Sequence, residues 1–296
     1  VTDPVHVRQR KEGPEPGASQ RAYPPPPEPL AVPVYDNHTH LEIADGDEPL
    51  DWREQLDRAA AVGVRGIVQV GTDLETSRWS AERADEDLRI LAAVALHPNE
   101  TPRYAAEGTL DAALAEIDAL AARDRVRAVG ETGLDYFRTE GDGQRVQLGA
   151  FEAHIAIAKR HGIALQIHDR DAHDDVVATL ERVGAPERTV FHCFSGDAAL
   201  ARLAAERGWY LSFAGTVTFK NAPNLREALE VIPSELVLVE TDAPYLTPAP
   251  LRGRPNAPYL IPHTLRFMAA HLDADVDELA ARVAANTEAV YGDWGI

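Results

Sequence analysis

Only one cysteine, Cys193, occurs in 296 residues, so no intrachain disulfide can staple the fold, and the usage agrees with a reducing compartment. Long apolar runs are missing too. The longest stretches, such as "ILAAVAL", fall far short of the roughly 18 to 20 residues that cross a bilayer. The N-terminal stretch lacks the apolar segment of a secretory signal, and the expectation is a cytoplasmic protein with no membrane partner. Basic residues are scarce: 29 Lys and Arg face 48 Asp and Glu, a formal charge of -19. Such a field repels polyanions at long range and excludes sequence-blind adhesion to nucleic acid over a broad face, while leaving room for a cleft that grips one or two phosphates. Lysine is rarer still, at Lys11, Lys159 and Lys220.

Prolines, by contrast, crowd one end. Nine of the 21 lie in residues 1–33, which have almost no apolar periodicity and read as a disordered or extended arm without a catalytic role. From Val34 onward, 34–296 reads as one domain. It carries eight short apolar runs: "VPVYDNH", "VRGIVQVGTD", "RILAAVALHP", "VRAVGETGLDY", "GIALQIHDRD", "RTVFHCFSGD", "WYLSFAGTVTF" and "ELVLVETDAPYL". Helical patterns separate them. "PLDWREQLDRAAAVG" puts Trp52, Leu56, Ala59 and Ala60 on one face, and "FEAHIAIAKRHG" repeats Phe151, Ile155 and Ala158 before Gly162. Strands apolar on both faces belong in parallel sheets covered by helices. Eight such units over roughly 260 residues predict an α/β fold, a TIM (β/α)8 barrel, with a doubly wound open sheet as the rival.

Each run begins apolar and ends in polar or ionisable residues, and in a barrel those ends meet at one mouth. In "DNHTH", alternation would point Asp36, His38 and His40 to one side, with Asp36 one step deeper as a brace. Alone, His-x-His at a strand end could equally be a solvated turn. The other ends add Glu131, His168, His192 and Asp242. Four histidines and two carboxylates exceed the needs of one tetrahedral zinc, and two ions sharing a carboxylate fit better, with Glu131 the natural bridge.

Further residues are expected near the mouth. His97 could donate to a phosphate oxygen. Ser195 and Gly196 precede the segment "DAALARLAAERG", whose N-terminus could seat an anion or be ordinarily capped. Glu240 shares the face of Asp242 and would orient a ligand. Arg252 and Arg254, in "TPAPLRGRPNAP", could line a substrate entrance or merely solubilise a loop. Cys193 should turn away and pack.

The motifs "DNHTHLE", "GETGLDYFR", "QIHDRDA", "FHCFSGD" and "ETDAPYL", in this order, resemble the TatD family of metal-dependent deoxyribonucleases from about Val34 to Tyr291. The resemblance implies a barrel of the metal-dependent hydrolase superfamily, with His38, His40, Glu131, His168, His192 and Asp242 as metal ligands and nuclease activity on DNA ends. Asn37 and Glu42 depart from the family's first motif, and "ANTEAVYG" departs from its closing helix, none of them at a ligand position. The arm 1–33 has no counterpart.

The expected chemistry is hydrolysis of a phosphodiester in nucleic acid, as by a DNA exonuclease, through attack of a hydroxide bridging two divalent ions. Asp242 is the expected base, and His97 and Glu131 complete the catalytic set. Magnesium, manganese and zinc all suit these ligands. An esterase or deacylase, for instance on aminoacyl-tRNA, is the alternative. Relatives of the phosphotriesterase type often bridge their ions with a carboxylated lysine from the fourth strand; here Glu131 occupies that strand and no lysine is placed to replace it. A third reading is a metal-stabilised scaffold whose "YPPPPEP" recruits partners. The sequence is silent on oligomeric state, and a monomer is compatible with it.

Overall fold

The structure, a computed structural model, describes residues 5–10 and 21–296. Eight parallel strands form its centre: β1 Val34–Thr39, β2 Val64–Val70, β3 Ile90–Val94, β4 Val126–Asp135, β5 Ala164–Arg170, β6 Thr189–Phe191, β7 Tyr210–Phe213 and β8 Val237–Val239. Each pairs with its neighbour in sequence. The ring is closed between the first and last strands by His40 N–H to Ala243 O and Asp242 N–H to His38 O, with Thr39 bridging Ala243. This is the expected TIM barrel, and all eight apolar runs supply a strand.

The helices return the chain between strands: α1 Trp52–Ala61, α2 Leu74–Glu86, α3 Thr101–Ala106, α4 Leu110–Ala121, α5 Asp142–His161, α6 His173–Val183, α7 Ala198–Arg207 and α8 Pro223–Val231, followed by α9 Ile261–His271 and α10 Val276–Tyr291. Local sequence fixes their ends. Asp51 accepts from Arg53 N–H to start α1, and Asp73 forms a capping box with Thr76 to start α2. Gly162 adopts φ 61° to end α5, a left-handed conformation that costs other residues energy. The apolar stripe of α5 buries Phe151 and Ile155 completely, and truncating Phe151 there would cost about 3–5 kcal/mol. Inside the ring, Val68, Leu91, Ala128, Val190 and Leu238 pack with Tyr35, Tyr291 and Trp294.

The arm 1–33 is expected to be disordered or extended; residues 1–4 and 11–20 of it lie outside the described residues. Residues 21–33 run along the barrel, held chiefly by their carbonyls: Arg254 donates to Ala22 O and Tyr23 O, Tyr259 to Pro24 O, and Arg266 to Glu28 O and Pro29 O. Proline has no N–H, so carbonyls are its backbone handles. Arg8–Gln9 pairs with Ile43–Ala44, just beyond β1. No helix among the described residues is long and apolar enough to cross a membrane.

Candidate metal centre

Two bulges build the site. Asp36 is level with Ile67 and Thr39 with Gln69, so β1 carries one residue more than β2 between those points. The same happens in β4 between Val129 and Thr132, around Glu131, opposite Leu165 and Ile167. Bulges break alternation and re-aim side chains, often beside active sites. The first interrupts the alternation expected between Asp36 and the histidines, while Asp36 still supports His38 at its backbone. Its carboxylate accepts from Thr241 N–H and Thr241 Oγ1–H, and from His38 N–H, bracing the seam between β1 and β8; burial pushes it up to about 8.

The six candidate ligands converge. His38 Nε2 and His40 Nε2 lie 3.3 Å apart. Asp242 Oδ1 is 3.9 and 3.6 Å from those nitrogens, and Glu131 Oε2 is 3.7 and 3.8 Å from them. The other oxygen, Oε1, faces His168 Nδ1 at 2.7 Å and His192 Nε2 at 2.9 Å. Glu131 thus turns one oxygen to the His38, His40 and Asp242 group and the other to the His168 and His192 pair. Gly133 permits the approach of β4 to β5: a Cβ there would stand 2.1 Å from His168 O, and its φ is 139°.

Three of the four imidazoles, those of His192, His168 and His40, are oriented from behind. His192 Nδ1 faces Glu240 Oε1 at 3.2 Å, His168 Nε2 faces Asp135 Oδ2 at 3.2 Å, and His40 Nδ1 donates to Val70 O at 3.0 Å. Carboxylates and carbonyls accept, so these nitrogens carry the hydrogen and the opposite ones face the centre. A neutral His192 would then aim a lone pair at Glu131 Oε1, as would His168. A proton meets that demand, and so does a divalent cation with more charge. Mixed nitrogen and oxygen donors at these separations fit such an ion.

The electrostatics agree. Glu131 is held well below the usual carboxylate range: burial opposes this, but His97, His192 and His168 outweigh it. Asp242 is lowered against burial by the His40 hydrogen bond and by His38 and His192. His40 rises to about 9 despite burial because Asp242, Glu42 and Glu131 surround it, and His192 and His168 are raised by their carboxylate neighbours. Burial lowers His38 and His97.

His97 stands at the same centre with its Nε2 3.3 Å from Glu131 Oε1. Its Nδ1 accepts Asn99 N–H at 3.0 Å, which fixes the hydrogen on Nε2 and makes the ring a donor toward the site. Glu240 behaves as expected, orienting His192. Sequence reasoning missed Asp135 and Asn99, whose side-chain N–H donates to Asp135 at 2.7 Å. Asp135, four residues beyond Glu131 in the same run, carried a readable signal; Asn99 carried none.

Other candidates go elsewhere. Asp197 caps α7, accepting Ala199 N–H and Leu200 N–H, so the protein's own carboxylate sits at the proposed anion seat. Ser195 Oγ donates to Asp169 O, and Gly196 lies against Phe194 and Leu200. Arg254 clasps the arm, and Arg252 stacks on Phe219 at 4.0 Å. Alternation fails for Cys193, since β6 ends at Phe191 and Cys193 has φ 41°. Its thiol is pushed up by burial and by Asp242, Glu240 and Glu131, which keeps it protonated.

The sequence pattern of the family described as "TatD related DNase" matches residues 35–292. An "Uncharacterized metal-dependent hydrolase TatD" of Mycobacterium tuberculosis is 46% identical over 263 residues, 88% of this chain and 98% of the relative. The "3'-5' ssDNA/RNA exonuclease TatD" of Citrobacter rodentium is 36% identical over 248 residues, 82% of this chain and 92% of the relative. Among solved structures, the TatD homologue YjjV of Escherichia coli superposes with a TM-score of 0.78 at 27% identity, covering 88% of this chain and 98% of the other.

Proposed function

The chain belongs to the TatD related DNase family of metal-dependent hydrolases, and from that premise we propose that it hydrolyses phosphodiester bonds at the ends of nucleic acid strands. One observation carries the reading: a single carboxylate, Glu131, presents one oxygen to each of two groups of nitrogen and oxygen donors. His38, His40 and Asp242 would hold one divalent ion and His168 and His192 a second, with Glu131 shared. Bound there, such ions make water more acidic and offset charge on a phosphate. The nuclease name of the Citrobacter relative supports the choice of substrate.

The chain's own groups divide the remaining work. Asp242, an ionised carboxylate with 15% of its side chain accessible, takes the proton from the attacking water as its oxygen bonds to phosphorus. His97 offers its Nε2–H to a phosphate oxygen as charge builds there. The P–O bond opposite the attack breaks, and the leaving oxygen takes the proton that Asp242 accepted, passed on directly or through water, which restores the carboxylate. The domain 34–296 carries this chemistry in the cytoplasm, and the arm 1–33 takes no part in it.

The test uses the full chain loaded in turn with magnesium, manganese and zinc, given end-labelled single-stranded DNA, duplex DNA, RNA and aminoacyl-tRNA. Stepwise shortening of a strand, lost in His168→Ala and Asp242→Ala, is the expected result. Release of the aminoacyl group from an uncut tRNA, with no strand shortened, would replace this reading with a deacylase.

A further inference from the structure

All four tryptophans are buried, and among the described residues one aromatic side chain is exposed: Phe137, 61% accessible. It stands beside the metal centre. Phe137 follows Asp135 by two residues, at most about 7 Å of chain, and Asp135 bonds His168. Arg170, two residues past His168, lays its guanidinium 4.0 Å from the centre of the Phe137 ring. Its charge also acts on the Cys193 thiol, next to His192, so the pair borders the mouth from two strands.

The segment bearing Phe137 is tied down on both sides. Tyr136 N–H donates to Arg170 O at 2.9 Å and Tyr136 Oη–H to Asp175 at 2.6 Å. Beyond it, Arg138 N–H donates to Asp135 Oδ1 at 2.9 Å and Thr139 Oγ1–H to Asn99 at 3.3 Å. The anchors hold the backbone; the ring rests on the guanidinium and otherwise faces water. An open phenyl group on a fixed support gains nothing for folding, yet loses little entropy when a flat partner covers it.

We propose that Phe137 and Arg170 form a stacking platform for the base of the nucleotide adjoining the scissile phosphodiester. The inference rests on the nuclease reading and deepens it. Every nucleobase offers a π face, and stacking on an aromatic ring is tolerant of sequence, which suits a rim carrying a ring and a cation. A paired base is already stacked in its duplex and must be extracted first.

The experiment compares wild type, Phe137→Ala and Phe137→Trp, all metal-loaded, on single strands with an intact end and with an abasic terminal nucleotide. For Phe137→Ala, KM on the intact strand should rise about tenfold with kcat unchanged. The abasic end should impose the same penalty on wild type and none further on Phe137→Ala, and Phe137→Trp should behave as wild type. Independently of turnover, 2-aminopurine at the strand end should be quenched by wild type and remain bright with Phe137→Ala. Equal KM and equal quenching in wild type and Phe137→Ala would overturn the platform while strand cleavage left the nuclease reading standing. A wild type that cleaves no nucleic acid would remove both.

Discussion

Glu240 Oε1 lies 3.2 Å from His192 Nδ1 and also accepts the backbone N–H of Cys193 at 2.7 Å. One fully buried oxygen therefore sets both the tautomer of a candidate ligand and the backbone turn that follows it. Glu240→Gln keeps the shape and removes the charge. Divalent metal affinity should fall by about 10 to 100-fold, measured by competition with a chromogenic chelator. Unchanged affinity would show that His192 needs no such support.

His97 leads to a different signature. With Nδ1 occupied by Asn99 N–H, its contribution is a single N–H directed at the site. His97→Ala should retain bound metal, determined by elemental analysis, and lower kcat by about 100-fold, the usual cost of removing one donor to developing charge. Loss of metal in that variant would make His97 a ligand instead.

His154 provides a pH test away from the donor cage. Its ring is fully buried between β3 and β4: Leu96 N–H donates to Nε2 at 3.1 Å and Nδ1 faces Thr132 Oγ1 at 2.9 Å. Burial lowers it from 6.5 to about 4. The folded state resists protonation while the unfolded chain accepts it, so its contribution is full above pH 6.5 and declines as pH falls toward 4. The loss approaches about 3 kcal/mol. Denaturant titrations from pH 7 to 4 should show a shallower decline in His154→Gln than in wild type. Parallel declines would refute the assignment.

Arg254 holds the arm in a measurable way. Its guanidinium donates to Ala22 O and Tyr23 O, and Arg254→Ala should cost about 1–2 kcal/mol, discounted for partial exposure. Hydrogen exchange over 21–33 should accelerate. A raised KM with exchange unaltered would restore the entrance role.

The barrel was legible because each parallel strand is buried on both faces and ends in polar residues, a pattern that needs no knowledge of partners. Six strand-end side chains could be collected on the same ground. The position of Asp36 was not legible, because strict alternation hides an inserted residue whose existence depends on pairing with β2. The Ser195 and Gly196 expectation failed for a local reason: Asp197, immediately after them, supplies its own carboxylate to the helix start. The docking of 21–33 was hard to read because many of its contacts use carbonyls that every residue possesses, and the side chains that also dock, Leu30 in the core and Arg21 on Asp45, stand in a segment with no apolar period.

The seam joining β1 to β8 passes through His38, His40 and Asp242. Half of the donor cage is therefore assembled only when the opening strand of the ring meets the strand made some two hundred positions later. A cation captured by that trio would latch the two ends of the sheet together, so its uptake would report that the last strand had docked. Catalytic competence and completion of the ring would then be a single event.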